Sequence, residues 1–257
     1  MRKINCLMTV FVFLFVSICL VEAEFVKDGL VSHWNFDRGE AKDITGEHDG
    51  SLIGSVSTVA GKVGDALSFD GNCDNFVEVA SPEGYNFNQN FTWCAWIKTS
   101  SGAFVSIFAK SGGKGTDDKG PKTFFVNEGQ LGFDTGWVGG AAGKAKVNDD
   151  SWHYVAISAE IGEGDDKLQF YVDGQADGDD AMNVNEYPED GFSVFIGSDC
   201  RADGEMGPFD GSIDQVSVYN KVLTDDQIEQ NFKAEGNETA VNVRSKLATT
   251  WGSLKSK

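Results

Sequence analysis

Glycine-marked turns set between short apolar segments constrain this chain more than any other feature of its sequence. It holds 31 glycines against 4 prolines, and many of the glycines stand in Asp-Gly or Gly-Asn pairs. Such pairs supply the positive φ of tight hairpins, so the pattern predicts many short strands and little helix. In 167–174, Leu168, Phe170 and Val172 share one strand face, and Asp173-Gly174 turns the chain. In 211–219, Val216 and Val218 alternate while Ile213 is out of phase, which predicts a bulge. Eleven strands are predicted in this way, from Leu30–Phe36 to Gly211–Tyr219. A single helix is predicted over Asp225–Lys233, with Thr224 as N-cap, Gln227 at the capping-box position, and Ile228 and Phe232 on one buried face. The fold class is all-β: an antiparallel two-sheet jelly-roll sandwich with one short C-terminal helix.

Charge narrows the partners. The chain carries 40 Asp and Glu against 21 Lys and Arg, a formal charge of −19. That balance excludes nucleic acid, whose phosphates need Lys and Arg, and disfavours anionic membrane surfaces. It suits a protein whose carboxylates collect divalent cations. The clusters Asp117-Asp118, Asp165-Asp166 and Asp177–Asp180 read as solvated loop charge.

The ends of the chain read differently from its middle. Arg2 and Lys3, an apolar run from Cys6 to Val21, and Val21-Glu22-Ala23 form the pattern of a cleaved secretory signal peptide. The run is shorter than the ~20 residues a spanning helix needs, so no membrane span is expected after cleavage. Residues 241–257 hold Arg244, Lys246, Lys255 and Lys257 and no acid, leaving about −24 on residues 24–240. The expected organisation is a signal peptide (1–23), one domain (24–235), and a basic, flexible tail (236–257). Localisation follows as secreted, extracellular or periplasmic.

Export leaves Cys73, Cys94 and Cys200, which suggests one bridge and one odd thiol. Cys73 and Cys200 lie in polar loops, whereas Cys94 lies in the apolar strand 91–97 and suits a small core filler. Cys73–Cys200 is the preferred pairing; sequence alone leaves the connectivity open.

The segments 29–37, 64–71, 76–79, 91–98, 152–155, 170–174, 196–197 and 209–220 together resemble, in order, the laminin-G-like, concanavalin A-like jelly-roll domains. The resemblance is to the bacterial type, which is also similar to pentraxins, and it covers about residues 28–234. It implies the fold strongly and the function weakly. In the pentraxin branch an Asp-Asn pair after the first loop binds calcium, and Asp74-Asn75 matches that pair. A second acidic loop follows an Ile-Gly step, here Ile196-Gly197 with Asp199 and Asp203, interrupted by Cys200 and Arg201. The implied cofactor is therefore calcium, at Asp74, Asn75, Asp199 and Asp203, with flexible hard-oxygen loops as the chemical reason. Related modules place a further structural ion near Asp37, Asp43 and Asp214. The pentraxin disulfide would join Cys94 to a position near Ala156, so that bridge is absent.

Most aromatics read as core, with Trp93 and Trp96 on opposite faces of one strand. Trp137, in the glycine-flanked loop 134–140, is the candidate for stacking on a sugar ring. No catalytic residues are expected. The Glu-x-Asp-x-x-Glu run of retaining glucanases on this fold is missing, and so are a nucleophile elbow and a zinc histidine spacing. The sequence therefore points to a secreted, non-catalytic recognition module for extracellular glycan or a cell-surface partner, supported by calcium. An adhesion protein making protein contacts without sugar specificity is the alternative, and a divergent glycoside hydrolase stands third.

Overall fold

The structure, a computed structural model, describes residues 24–80, 84–188, 191–202 and 206–235. The expected signal peptide, the basic tail and Asp203 lie outside these residues. The strands are β1 Leu30–Trp34, β2 Ser51–Ile53, β3 Ser57–Ala60, β4 Asp65–Asp70, β5 Phe76–Val79, β6 Phe91–Lys98, β7 Val105–Ser111 and β8 Lys122–Asn127. They continue as β9 Gln130–Thr135, β10 Gly139–Lys146, β11 His153–Glu160, β12 Asp166–Val172, β13 Gln175–Met182, β14 Ser193–Ile196 and β15 Asp210–Tyr219. One helix, α1, spans 225–235. No helix among the described residues is long and apolar enough to cross a membrane.

The strands form two antiparallel sheets. The first runs β13-β12-β11-β6-β15-β4-β3, with β1 paired to the second half of β15. The second runs β10-β9-β8-β7-β14-β5-β2. The long strand β15 serves two neighbours on one side, β4 along Asp210–Ile213 and β1 along Val216–Tyr219, and its pairing with β6 shifts register between Asp214 and Ser217. Gln215 sits there at φ 48, so the out-of-phase Ile213 is explained by the bulge its spacing predicted.

The core lies between the sheets, where Trp34, Phe91, Trp93, Phe108, Phe133 and Phe170 are almost fully enclosed. Trp93 packs 4.6 Å from Phe108 and 4.7 Å from Phe87, ring centroid to centroid. Burying each such ring stabilises the fold by about 1.5–3 kcal/mol. A second apolar layer covers the outer face of the first sheet. There Cys94, Trp96, Tyr154, Tyr171 and Tyr219 meet Ile228 and Phe232 of α1 and Val26 from the start of the described chain. Trp93 and Trp96 thus divide between the two layers, and Cys94 is a buried free thiol opposite Ala156 on β11.

The helix begins where the capping box requires. Thr224 N–H donates to Gln227 Oε1 at 3.1 Å, and Gln227 N–H donates to Thr224 Oγ1 at 3.3 Å. It runs two residues past the predicted end, because Ala234 and Glu235 are still buried and Glu235 accepts the Trp96 indole N–H at 2.9 Å.

Two readings of the acidic clusters need correction. Asp166 has no exposed surface: its carboxylate accepts Gly162 N–H at 3.0 Å and Val184 N–H at 2.8 Å. Asp177 belongs to β13 and accepts the N–H groups of Lys144 and Ala145 on β10, at 2.9 and 2.8 Å. Both carboxylates cap backbone amides, which local charge counting could not distinguish from solvated charge.

Candidate functional site

Three loops converge on the outer face of the second sheet: 71–75 before β5, 112–121 after β7, and 197–202 after β14. A Cys73–Cys200 disulfide joins the first and last, with Cα atoms 5.8 Å apart. Gly115 N–H donates to Cys200 O at 2.8 Å, and Ala202 N–H donates to Thr116 O at 2.9 Å, which lays the middle loop along the last.

The residues expected to hold calcium surround this joint, and each described member has a partner within the protein. Asp74 is exposed and pairs with Lys114. Asn75 is buried; its Oδ1 accepts Ser55 N–H at 2.7 Å and its Nδ2 donates to Asp70 Oδ1 at 2.8 Å. Asp199 has almost no exposed surface, and its Oδ2 accepts from Thr123 Oγ1 and from Arg201 Nε at 2.8 Å. The Asp199 Oδ1 atom is buried without a hydrogen-bond partner. Asp203 lies outside the described residues. Among the described residues no group of three or more His, Cys, Asp or Glu side chains stands close enough to hold a metal ion.

Arg201 organises the interior of this joint. Thr123 and Asp134 alternate with the core residues Phe124 and Phe133, so both face outward from paired strands β8 and β9. Arg201 Nη2 donates to Thr123 Oγ1 at 2.7 Å, and Nη1 lies 3.1 Å from Asp134 Oδ2. Burial works against the guanidinium charge, but Asp199 and Asp134 outweigh it and move the Arg201 pKa above its ordinary value. The sequence presented Arg201 as an interruption of an acidic loop; in space it is the counter-ion of two carboxylates.

Trp137 stands beside this network, in the turn between β9 and β10. It is 64% exposed, and its backbone sits at φ 71. A positive φ is a true outlier for a bulky side chain and costs on the order of 1–3 kcal/mol. The turn is held by Val138 N–H donating to Thr135 O at 3.0 Å. Gly120 N–H donates to Gly136 O at 3.1 Å and Gly136 N–H to Pro121 O at 2.9 Å, locking this turn to the 112–121 loop. Gly136 is required: a Cβ there would meet Pro121 at 2.8 Å and the Arg201 guanidinium at 3.1 Å.

The further metal position divides. Asp37 and Asp214 both approach the 61–65 turn, where Asp37 Oδ1 accepts Asp65 N–H at 3.2 Å and Asp214 Oδ2 accepts Val63 N–H at 3.0 Å. Burial pushes the Asp214 pKa up to about 7, against the pull of its amide donors, and the Asp37 charge adds to the rise. Asp43 is engaged elsewhere, accepting from His33 N–H at 2.9 Å and from Thr45. A groove that no sequence motif marked lies on the first sheet, lined by Glu160, Lys167, Gln169, Asp180 and Asp225. Its residues were invisible as a set because the groove is assembled from β11, β12, β13 and the start of α1.

Comparison with known proteins places the fold. A family model described as the concanavalin A-like lectin/glucanases superfamily matches residues 70–229. No curated protein matches the sequence significantly. The binding domain of Paraclostridial Mosquitocidal Protein 1 superposes with a TM-score of 0.64 at 15% identity, over 80% of this chain and 52% of that one. The binding domain of botulinum neurotoxin DC, in complex with rat synaptotagmin II, gives 0.61 at 15% identity, over 81% and 52%. Domain 4 of AbnA, a GH43 extracellular arabinanase from Geobacillus stearothermophilus in complex with arabinotriose, gives 0.59 at 17%, over 79% and 97%. This chain thus spans about half the length of the two toxin domains and matches nearly all of the arabinanase domain. At these identities the likeness establishes the sandwich, and sites must be argued from this chain's own residues.

Proposed function

The chain belongs to the concanavalin A-like lectin/glucanases superfamily, and from that premise we propose that it is an exported, non-catalytic recognition module that binds extracellular carbohydrate through the loops around Trp137. The observation that carries this reading is Trp137 itself. A strained, exposed indole is held on a turn that is hydrogen-bonded on both sides, beside the Arg201 charge network. Backbone strain persists where surrounding structure over-determines it, and it clusters at ligand-binding sites. An indole face presented this way stacks on the C–H face of a sugar ring. The arabinotriose complex of the similar arabinanase domain supports a sugar as the ligand class.

A protein receptor is the second reading, supported by the synaptotagmin complex of the similar neurotoxin domain. A glycan array separates the two. Glycan binding lost in Trp137→Ala supports the carbohydrate reading; a wild-type protein that binds no glycan favours protein contact. Reducing-sugar release from a polysaccharide panel would overturn the non-catalytic part.

Calcium at Asp74, Asn75, Asp199 and Asp203 is a separate element of the proposal. The oxygens that face other partners are Asp74 Oδ1, on Lys114, and Asp199 Oδ2, on Arg201, so an ion would compete with those two cations for the carboxylates. A ligand at 100-fold over its Kd adds about 2.7 kcal/mol to stability. A melting temperature that rises with calcium and falls with EGTA supports the element, whereas an unchanged melting curve at millimolar calcium removes it and leaves the glycan reading standing.

A further inference from the structure

We propose that the sugar taken at Trp137 is acidic, and that Lys119 selects it through a carboxylate on the ring. The inference rests on the glycan reading above and names the substrate class of the same site. Lys119 and Trp137 flank the two backbone hydrogen bonds that lock the 112–121 loop to the β9–β10 turn, so their spacing is built in. The Lys119 ammonium lies 5.5 Å from the Trp137 ring centroid and 5.2 Å from that of Tyr187. Tyr187 is fixed in turn: its carbonyl accepts from Asn88 Nδ2 at 3.1 Å, and Asn88 Oδ1 accepts from Lys122 Nζ at 2.8 Å. Gly120 lets the two loops touch, since a Cβ there would fall 2.6 Å from Tyr187 Cβ.

The charge at this spot rests over the Trp137 and Tyr187 rings and is held by no carboxylate among the described residues. Lys42, Lys98, Lys114, Lys167, Lys221 and Lys233 each pair with a carboxylate. Lys119 is exposed and makes no salt bridge among the described residues, in a chain where acids outnumber bases 40 to 21. The neighbouring Arg201 cannot serve a ligand, because Asp199 and Asp134 already neutralise it. An exposed indole whose ring carries an ammonium that no carboxylate neutralises matches a pyranose that stacks on the ring, displaces the ammonium from it and meets the cation through its own carboxylate. The net charge of −19 does not decide against an anion here. At physiological salt the Debye length is about 8 Å, so distant carboxylates are largely screened, and the adjacent exposed Asp117 and Asp118 are the charges that an anion at Lys119 must outweigh.

Titration calorimetry with oligouronates and with sialylated oligosaccharides, each beside its methyl ester, tests the inference and distinguishes the two sources of the carboxylate. The wild-type protein is expected to bind at least one acid form about tenfold or more tightly than its ester. Lys119→Gln should bring the two forms to equal affinity, and Lys119→Arg should retain the preference. Trp137→Ala should lose both forms. Equal wild-type binding of acid and ester, or a preference that survives Lys119→Gln, overturns the inference and leaves the glycan reading intact. Binding of a neutral panel alone does the same, and binding of no glycan at all overturns both.

Discussion

Arg201 Nε lies 2.8 Å from Asp199 Oδ2, and both side chains are enclosed beneath the loops of the second sheet. A buried ion pair of this kind is fragile in one direction only. Removing Arg201 leaves the buried Asp199 carboxylate without its counter-ion, so Arg201→Ala is expected to cost about 3–5 kcal/mol. Replacing both partners with apolar residues of similar size, as in Asp199→Leu with Arg201→Met, should cost less than the single change. Urea denaturation of the three proteins checks this, and equal losses would show that the pair is not coupled.

The Cys73–Cys200 bridge closes a span of 127 residues between the 71–75 and 197–202 loops. Its loss should cost about 2–5 kcal/mol through the freedom regained by the unfolded chain. Cys73→Ser with Cys200→Ser should therefore melt lower than wild type, and dithiothreitol should lower the wild type alone. Because the bridge also pins the 197–202 loop that carries Arg201, the same variant should weaken any ligand held at Trp137.

Trp137 offers a test in which stability and function move oppositely. Glycine adopts φ near +71 without steric cost, so Trp137→Gly relieves strain at an exposed side chain that contributes little burial. We expect melting to be unchanged or raised, by about 1 kcal/mol at most, together with loss of glycan binding. A residue kept only for packing would show the reverse: lower melting and unchanged binding.

How far the fold was legible depends on where a strand sits in its sheet. The eleven predicted strands are interior strands or lie against β15. The four that went unread, β2, β3, β10 and β13, end the two sheet orders, while β1, also paired along one side only, was readable because its Trp34 enters the core. An edge strand has backbone pairing on one side only and less need of an apolar face, so its sequence carries little alternation. β10, Gly-Gly-Ala-Ala-Gly-Lys-Ala-Lys, and β13, Gln-Ala-Asp-Gly-Asp-Asp-Ala-Met, show this directly. The disulfide and Trp137 were legible because each is a rare residue in a polar loop. Arg201 was legible as a charge but not as a counter-ion, since Asp134 lies 67 residues away.

Edges also explain Asp177. Its carboxylate takes the N–H groups of Lys144 and Ala145 where the β9–β10 register shifts, and so caps the open side of β10 with a charge from the other sheet. Asp177→Ala should cost about 1–2 kcal/mol, above the norm for a surface substitution. Hydrogen exchange at residues 144 and 145 should quicken in the variant while the β8–β9 amides stay protected. Faster exchange throughout the second sheet would show that the cap acts globally instead.

The pH dependence should turn on two buried groups that oppose each other. Burial raises the Asp214 pKa from 3.8 to about 7, so its stabilising contribution is complete below 3.8 and is lost as pH rises through 7. Burial also lowers the His33 pKa from 6.5 to about 4, outweighing its bond to Gln215 and the Asp43 charge. That contribution is complete above 6.5 and is lost as pH falls through 4. Each shift corresponds to roughly 3–4 kcal/mol at 1.36 kcal/mol per unit, so between about pH 4 and 6.5 the two largely cancel. Wild-type melting is expected to be nearly flat across that window. Asp214→Asn leaves the His33 dependence exposed, and melting should then rise with pH; His33→Gln should reverse the slope. Above pH 6.5 a further decline is expected from His153. Its burial opposes protonation, but Asp173 and Asp149 outweigh that and raise its pKa, so its contribution fades as pH rises through the folded value. A flat profile in Asp214→Asn would show that His33 titrates at its ordinary value, and a flat profile in His33→Gln would show the same of Asp214.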